Sequence, residues 1–173
     1  MDFLLLERAG VGILGDLKRG GFRVKFILVM KGRFPFEKLP KYPHLSPQDT
    51  VIWEKFIEEN PGFFDSVDYD VKVGKPREYK TAEEDVYKKA MEELSKKRID
   101  VVGYKNDKIY IVEIHPSASF ETLGQLIGKR SLYQKEFNVK KNLFALLITD
   151  REVPDIPELC KENDIIYYLV AAG

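Results

Sequence analysis

Two carboxylates stand within neighbouring apolar runs, where a charged group is costly unless it has a cation or a hydrogen-bonding partner. Asp100 is followed by Val101 and Val102, and Glu113 lies near the end of the run 109–114. Carboxylates, backbone carbonyls and water are the ligands that a hard divalent ion such as Mg²⁺ prefers. If the two runs pair as a hairpin, we expect Asp100 and Glu113 to converge on a metal site.

The surrounding pattern predicts that hairpin. Residues 99–104 and 109–114 are short β-branched runs, and Lys105-Asn106-Asp107 between them has the composition of a hairpin turn. Side chains alternate along a strand, so one face is expected to carry Ile109, Ile111, Glu113 and His115.

Other periodic segments predict helices and strands around this hairpin. Alternation along residues 67–73 predicts a strand with Val67, Tyr69, Val71 and Val73 inward and Asp68 and Asp70 on a wet face. Thr81 and Glu84 form a predicted capping box for a helix with an inward stripe of Ala82, Val86, Ala90 and Leu94. The remaining predictions are a helix at about 120–137, a buried central strand at 143–148, a short helix after Pro157 and a last strand at 165–170.

The first 64 residues predict a β/α extension packed on a core at 65–173. Residues 22–30 are expected to form a strand paired near residues 11–17, followed by a Pro-rich connector. Ser46 and Pro47 then begin a helix that ends at Asn60-Pro61-Gly62. The aromatic residues nearby are expected in the core: Trp53, Phe56, Phe63 and Phe64.

Composition narrows the class of protein. The 28 basic and 28 acidic residues cancel, which argues against avid non-specific DNA binding without excluding a local basic patch. The single cysteine, Cys160, excludes an internal disulfide and is expected to be buried packing. With neither a leader nor a membrane span recognised in the sequence, a cytoplasmic location is expected, including the cytoplasm of a cell that hosts a virus or plasmid.

The order and spacing of these features resemble the PD-(D/E)XK nuclease superfamily over residues 65–170. The segment Ile99-Asp100-Val101-Val102-Gly103, a turn, and Ile111-Val112-Glu113-Ile114-His115 resemble its acid, spacer and Glu-x-Lys, and a helix with Gly124-Gln125-Leu126 follows. The resemblance implies a restriction-endonuclease-like α/β fold, with a mixed sheet flanked by helices. Its core order is helix, three strands, helix, strand, and either the strand at 69–73 or the N-terminal hairpin would take the first-strand place.

The resemblance also implies a site. Asp100, Glu113 and the Ile114 carbonyl would hold Mg²⁺ or Mn²⁺, and the ion would activate water for attack on a DNA phosphodiester. The structural alternative is a pair of strand-end acids salt-bridged to Lys97 or Arg98.

Two positions depart from the family pattern. His115 replaces the lysine, so it either takes part in catalysis or marks a decayed site in a domain kept for binding. Gln125 is followed four residues later by Lys129, where some branches have tyrosine. Lys129 either supplies the missing ammonium from the helix or is a solvated lysine on an exposed face.

Several further residues are candidates by analogy. Glu83 or Glu84 is a candidate extra acid from the preceding helix. Residues expected to contact nucleic acid are Lys97, Arg98, Lys129, Arg130 and Tyr133. The expected function is a metal-dependent deoxyribonuclease, and the alternative is a catalytically inactive nucleic-acid-binding or assembly module. DNA is the expected partner, no membrane partner is expected, and a homodimer is left open.

Overall fold

The computed structural model describes residues 16–19, 22–25, 32–77 and 85–171, with side chains at 32–77 and 90–171. Strands β1 (Asp16–Arg19) and β2 (Phe22–Lys25) pair antiparallel, with Leu17 opposite Val24. The predicted N-terminal strand is therefore confirmed in part, and residues 26–30 lie outside the described ranges. The division into an extension and a core at residues 64 and 65 stays a prediction.

Helix α1 (Pro47–Glu59) begins as its sequence predicts. The Ser46 side chain accepts a hydrogen bond from the Asp49 N–H at 3.1 Å, and the Asp49 carboxylate accepts one from the Ser46 N–H in return. Pro47 occupies the first turn, where its missing N–H costs nothing, and Asn60 ends the helix. One face of α1 carries Ile52, Trp53, Phe56 and Ile57, all buried.

A five-stranded mixed sheet is the centre of the described fold. In the order of their positions across the sheet, its strands are β3 (Ser66–Val73), β4 (Lys97–Lys105), β5 (Lys108–Ile114), β6 (Leu143–Thr149) and β7 (Ile165–Leu169). The first three strands are antiparallel neighbours, whereas β5, β6 and β7 run parallel. The predicted α/β class, with a mixed sheet flanked by helices, is confirmed.

Three further helices connect the strands: α2 (Asp85–Leu94) between β3 and β4, α3 (Phe120–Glu136) between β5 and β6, and α4 (Ile156–Glu162) between β6 and β7. With α2 set aside as an insertion, the chain order is α1, three antiparallel strands, α3, strand. The strand around Tyr69 is therefore the first of the three, which resolves the ambiguity in the sequence. The order is also the one that the family resemblance implies.

The inward stripe predicted for α2 is wrong where it can be checked. Ala90 is exposed and Leu94 is 62% exposed. Helix periodicity marks an apolar face, but a face is buried only where another element packs on it. The capping box predicted at Thr81 and Glu84 lies outside the described residues.

The sheet has two apolar faces with different helices on them. On the α1 side, Trp53 and Phe56 pack with Phe64, Tyr69 and Val112. The ring of Phe64 lies directly on β4, because a Cβ at Gly103 would come within 2.5 Å of it. On the α3 side, a second core contains Ile111, Leu126, Tyr133, Ala145 and Cys160. Cys160 is buried packing, as expected, and burial raises the pKa of its thiol to about 11.

A bend in β3 and β4 departs from the predicted alternation. Asp70 has a left-handed backbone, with φ of 57°. Val67 and Tyr69 before it pack on the α1 side, whereas Val71 and Val73 after it pack on the α3 side. The predicted single inward face is therefore wrong, because one left-handed residue shifts the alternation by one.

No described helix is long and apolar enough to cross a membrane.

Candidate metal-binding carboxylate site

Asp100 and Glu113 approach each other because β4 and β5 form the predicted hairpin. Val101 pairs with Val112, so continuing this register by one residue brings Asp100 opposite Glu113 on the α3 side. Oδ2 of Asp100 accepts a hydrogen bond from the Ile114 N–H at 3.0 Å, which fixes the orientation of the carboxylate. The structure gives the other oxygen, Oδ1, no hydrogen-bond donor among the described residues.

Lys129 reaches the same place from α3. Its Nζ lies 2.7 Å from Oε1 and 2.6 Å from Oε2 of Glu113, and the side chains of Lys129 and Glu113 are only 10% and 8% exposed. Lys129 belongs to the buried stripe of α3 with Leu126 and Tyr133. The alternative of a solvated lysine is therefore wrong. We call Asp100, Glu113 and Lys129 the carboxylate site.

Burial dominates the electrostatics of the carboxylate site. The pKa of Glu113 is raised to about 7, and burial is the largest cause. The charge of Asp100 acts in the same direction, whereas Lys129 opposes the increase. Burial likewise raises the pKa of Asp100, while Lys129 and the Ile114 N–H oppose this shift. One ammonium thus compensates two crowded carboxylates incompletely, so an additional cation would stabilise their ionised forms.

The N-terminal end of α1 contributes charge that sequence reasoning missed. Asp49 raises the pKa of both Asp100 and Glu113, although it ranks below burial and Lys129 as a cause. His44, which has a left-handed backbone with φ of 65°, has a smaller opposite effect on Asp100. The sequence contained one indication that α1 could contribute charge to the site, which is that α1 precedes the three strands along the chain.

His115 does not join the carboxylate site in this structure. It lies just beyond β5, its side chain is exposed, and Nδ1 accepts a hydrogen bond from the Ser117 N–H at 3.2 Å. The predicted alternation along β5 holds for Ile109, Ile111 and Glu113, but it ends with the strand at Ile114. The position that resembles the family's lysine is therefore occupied by a residue that contacts the following turn.

The remaining predicted site residues make no hydrogen bond or ion pair with Asp100 or Glu113 in the described part of the chain. Gln125 is exposed, and its Nε2 donates to Glu121 at 3.1 Å, so the structure does not bring it to the carboxylates. Glu83 and Glu84 lie outside the described residues.

Some residues expected to contact nucleic acid have exposed side chains, and others are buried or already paired within the chain. Lys97 is exposed, whereas Arg98 forms an ion pair with Asp70, so the alternative pairing of Asp100 or Glu113 with these two residues is wrong. Arg130 donates to the carbonyls of Asn163 and Asp164 after α4. Tyr133 is 1% exposed, so the structure does not present its ring to a nucleic acid.

The environment of Asp68 also differs from the prediction. It was expected on a wet face, but it is 3% exposed and accepts hydrogen bonds from Arg33 Nε at 2.7 Å and the Tyr104 hydroxyl at 3.0 Å. Asp70 also departs from that expectation, because it is only partly exposed and is paired with Arg98. Buried carboxylates persist only with such partners.

The oxygen atoms of the carboxylate site are of the kind that a hard divalent cation prefers as ligands. Both carboxylates carry oxygens that would serve as ligands. Oδ1 of Asp100 accepts no hydrogen bond from the residues described, whereas both oxygens of Glu113 contact Lys129. No group of three Asp, Glu, His or Cys side chains gathers as a ligand cluster within the described ranges. Mg²⁺ commonly takes only one or two carboxylates and completes its shell with water and substrate phosphate, so two carboxylates suffice.

A cleft adjoins the carboxylate site along the outer side of α3. Its volume is about 570 Å³, and Lys129 lies in its wall. Lys97, at the start of β4, brings a second positive charge, while Glu121 brings a negative one. The full lining is Lys97, Glu121, Gly124, Gln125, Gly128, Lys129 and Leu132.

Comparisons with known proteins give one distant structural likeness. No family model matches the chain, and no curated protein matches it. A solved structure described as the EndoMS-dsDNA2 complex is similar at 12% identity and a TM-score of 0.42, over 79% of this chain and 50% of that chain. A likeness this distant does not identify a family, a substrate or an activity. The chain spans half the length of that protein.

Proposed function

We propose that this protein is a metal-dependent nuclease of the PD-(D/E)XK type that hydrolyses DNA phosphodiester bonds. Asp100, Glu113 and the Ile114 carbonyl hold Mg²⁺ or Mn²⁺. Lys129, from α3, takes the place of the family's strand lysine, and His115 does not. The observation that carries the proposal is the approach of two carboxylates, Asp100 and Glu113, on adjacent strands, where the charge of Asp100 adds to burial in raising the pKa of Glu113.

The topology supports the same proposal. A helix, three antiparallel strands, a second helix and a parallel strand follow one another along the chain, with α2 inserted. The carboxylates lie on the second and third strands and the lysine lies on the helix that follows. These are the elements on which the sequence resemblance located the acid, the Glu-x-Lys and the following helix.

Each residue has a definable part in the proposed chemistry. When bound, the ion would lower the pKa of a water and offset charge on the phosphate. The Ile114 N–H orients Asp100 by holding Oδ2. Lys129 lies beside Glu113, where an ammonium can hold the attacking water and stabilise negative charge that develops on a phosphate oxygen. Lys97, exposed at the cleft, is suited to a phosphate contact.

A non-catalytic binding or assembly module is the rival function. One observation favours it: Lys129 engages both oxygens of Glu113, so this carboxylate already has a cation. In such a module the ion pair would only connect α3 to β5. The basic residues at the cleft would then serve binding alone.

Cleavage assays with matched variants test the proposal. Linear duplex, single-stranded and branched DNA are incubated with the full chain and Mg²⁺ or Mn²⁺. Asp100→Asn retains the shape and an acceptor for the Ile114 N–H, and it is expected to lose activity by at least about 100-fold. Glu158→Gln, at an exposed position of α4, is the control and should retain activity. DNA binding without metal-dependent cutting on any substrate would establish the rival instead.

A second pair of variants tests which residue replaces the family's lysine. Lys129→Gln removes the ammonium beside Glu113 and is expected to lower kcat by about 100-fold. His115→Gln removes an exposed imidazole that accepts a hydrogen bond from the Ser117 N–H, and it should change kcat by less than about threefold. The reverse result would assign the role to His115.

A further inference from the structure

Glu113 has two roles in the structure and in the proposed function, and these roles conflict. Its two oxygens are both within hydrogen-bond distance of Lys129 Nζ, at 2.7 and 2.6 Å. The same carboxylate is a proposed metal ligand. An ammonium and a divalent ion cannot both occupy the two oxygens of Glu113 at close range, because their charges repel strongly in a buried site.

The charges in the carboxylate site decide which cation is favoured. With both carboxylates ionised, Lys129 reduces the site from two negative charges to one. Hard divalent ions are bound more tightly as the number of negative ligand charges rises. Lys129 is part of the chain, so its ammonium is present beside Glu113 at a high effective concentration. The metal ion, in contrast, has to bind from solution.

The cleft gives the ammonium a route away from Glu113. Lys129 lines this cleft of about 570 Å³, which contains the carboxylate of Glu121 and is bordered by Gly124 and Gly128. Among the described residues, a Cβ on either glycine would meet no atom of a neighbouring element within 4 Å, so no described side chain fills the space beside these two glycines. The long, flexible lysine stem can turn its head toward this water-accessible side without moving the helix.

We infer that Lys129 is a built-in competitor of the metal ion and sets the metal affinity of the carboxylate site. Metal binding moves the ammonium from Glu113 toward the cleft, where it lies beside the path to the ion. This inference rests on the proposed metal site. The opposite case is a lysine that merely holds Glu113 in position for the metal, and the two cases predict opposite changes in affinity.

Calorimetric titration with Mn²⁺ alone separates these cases. Lys129→Gln keeps an N–H donor, on a side chain one bond shorter, but removes the charge, so Mn²⁺ should bind about tenfold more tightly or better than to the wild-type chain. Lys135→Gln removes the same charge from an exposed position of the same helix and should change the affinity less than about twofold. Equal or weaker Mn²⁺ binding by Lys129→Gln overturns the inference.

A measurement on the wild-type chain avoids reliance on a variant that fails to fold. The rate at which an amine-acylating reagent modifies Lys129 is followed by peptide mass spectrometry, with and without Mn²⁺. Displacement from Glu113 should raise this rate several-fold, while the rate at exposed Lys135 stays constant. Glu113→Gln, which removes the competing carboxylate charge, should show fast modification of Lys129 without metal. Mn²⁺ uptake that leaves Lys129 protected overturns the inference.

The outcomes also separate this inference from the nuclease proposal. Tighter Mn²⁺ binding by Lys129→Gln with no cleavage by the wild-type chain would refute the nuclease and retain the competitor. Cleavage by the wild-type chain with unchanged affinity in the variant would do the reverse. Absence of Mn²⁺ uptake in both chains would overturn the competitor together with the metal site.

Discussion

The two faces of the sheet are built from different chemistry. On the α1 side, Trp53 and Phe56 stack with ring centroids 5.5 Å apart, and the Trp53 N–H donates to the Tyr69 hydroxyl at 3.0 Å. On the α3 side, the apolar core is interrupted by charged side chains. In the part of the chain whose side chains are described, the buried charged residues are Asp68, Glu113 and Lys129, and each lies toward α3.

This difference suits the α1 face to stabilising the fold and the α3 face to the proposed chemistry. Burial of the aromatic rings on the α1 side is favourable, and the buried Trp53 N–H has its hydrogen-bond partner in Tyr69. A buried ion pair such as Glu113–Lys129 contributes little net stability compared with apolar side chains of the same size. Its presence beside Asp100 is therefore better explained by a site than by stability. Variants on the two faces should consequently respond differently to metal.

The largest expected effect is on the α1 side. Phe56 is fully buried, so Phe56→Ala should lower the free energy of unfolding by about 3–5 kcal/mol. Urea denaturation with and without Mn²⁺ should give the same loss, because no proposed metal ligand lies on this face. Val51→Ala, at a 56% exposed position of the same helix, is the control and should change stability by less than about 0.5 kcal/mol. A loss at Phe56 that Mn²⁺ largely restores would break the distinction between the faces.

A smaller effect is expected on the α3 side. Lys129→Gln leaves the Glu113 carboxylate buried without its cation, which should cost about 2 kcal/mol, less than for a fixed charge because Glu113 can take up a proton. Mn²⁺ should restore part of this loss, since a ligand bound only by the folded chain stabilises it. The double variant Glu113→Gln, Lys129→Gln should regain much of the metal-free stability. A loss in the double variant equal to the sum of the losses in Lys129→Gln and Glu113→Gln would show that the two side chains are not coupled.

The sequence predicts the α1 side better than the α3 side, for a physical reason. Ser46, Pro47 and the apolar spacing of α1 are local signals, and the start of the helix and the burial of Trp53 and Phe56 are confirmed. The strand pairing that brings Asp100 opposite Glu113 is also local, because one short turn joins β4 and β5.

The contacts that define the carboxylate site are not local. Lys129 finds Glu113 only because α3 packs across β5, so a helical lysine at this spacing could be either exposed or buried. Asp68 is buried because Arg33, 35 residues earlier, donates to it. The left-handed backbone of Asp70 changes which face the later residues occupy, and strand alternation alone gives no sign of it. Tertiary packing decides each of these features.

The smallest expected effect, taken over a single pH unit, is a pH-dependent slope in stability that belongs to the α3 side. Burial, followed by Asp100, raises the pKa of Glu113 from 4.5 to about 7. Between these two values the folded chain holds a proton that the unfolded chain has released. Stability should therefore fall as pH rises from about 4.5 to about 7, by at most about 1.4 kcal/mol for each pH unit.

Urea denaturation without metal, repeated across this pH range, measures the slope. Glu113→Gln should lose the part that Glu113 contributes, while Phe56→Ala should keep it at lower overall stability. Mn²⁺ should flatten the slope in the wild-type chain, because the ion competes with the proton for the carboxylate. An unchanged slope in Glu113→Gln would mean that Glu113 does not titrate in this window. The comparison between the faces would then rest on Lys129 and the metal response alone.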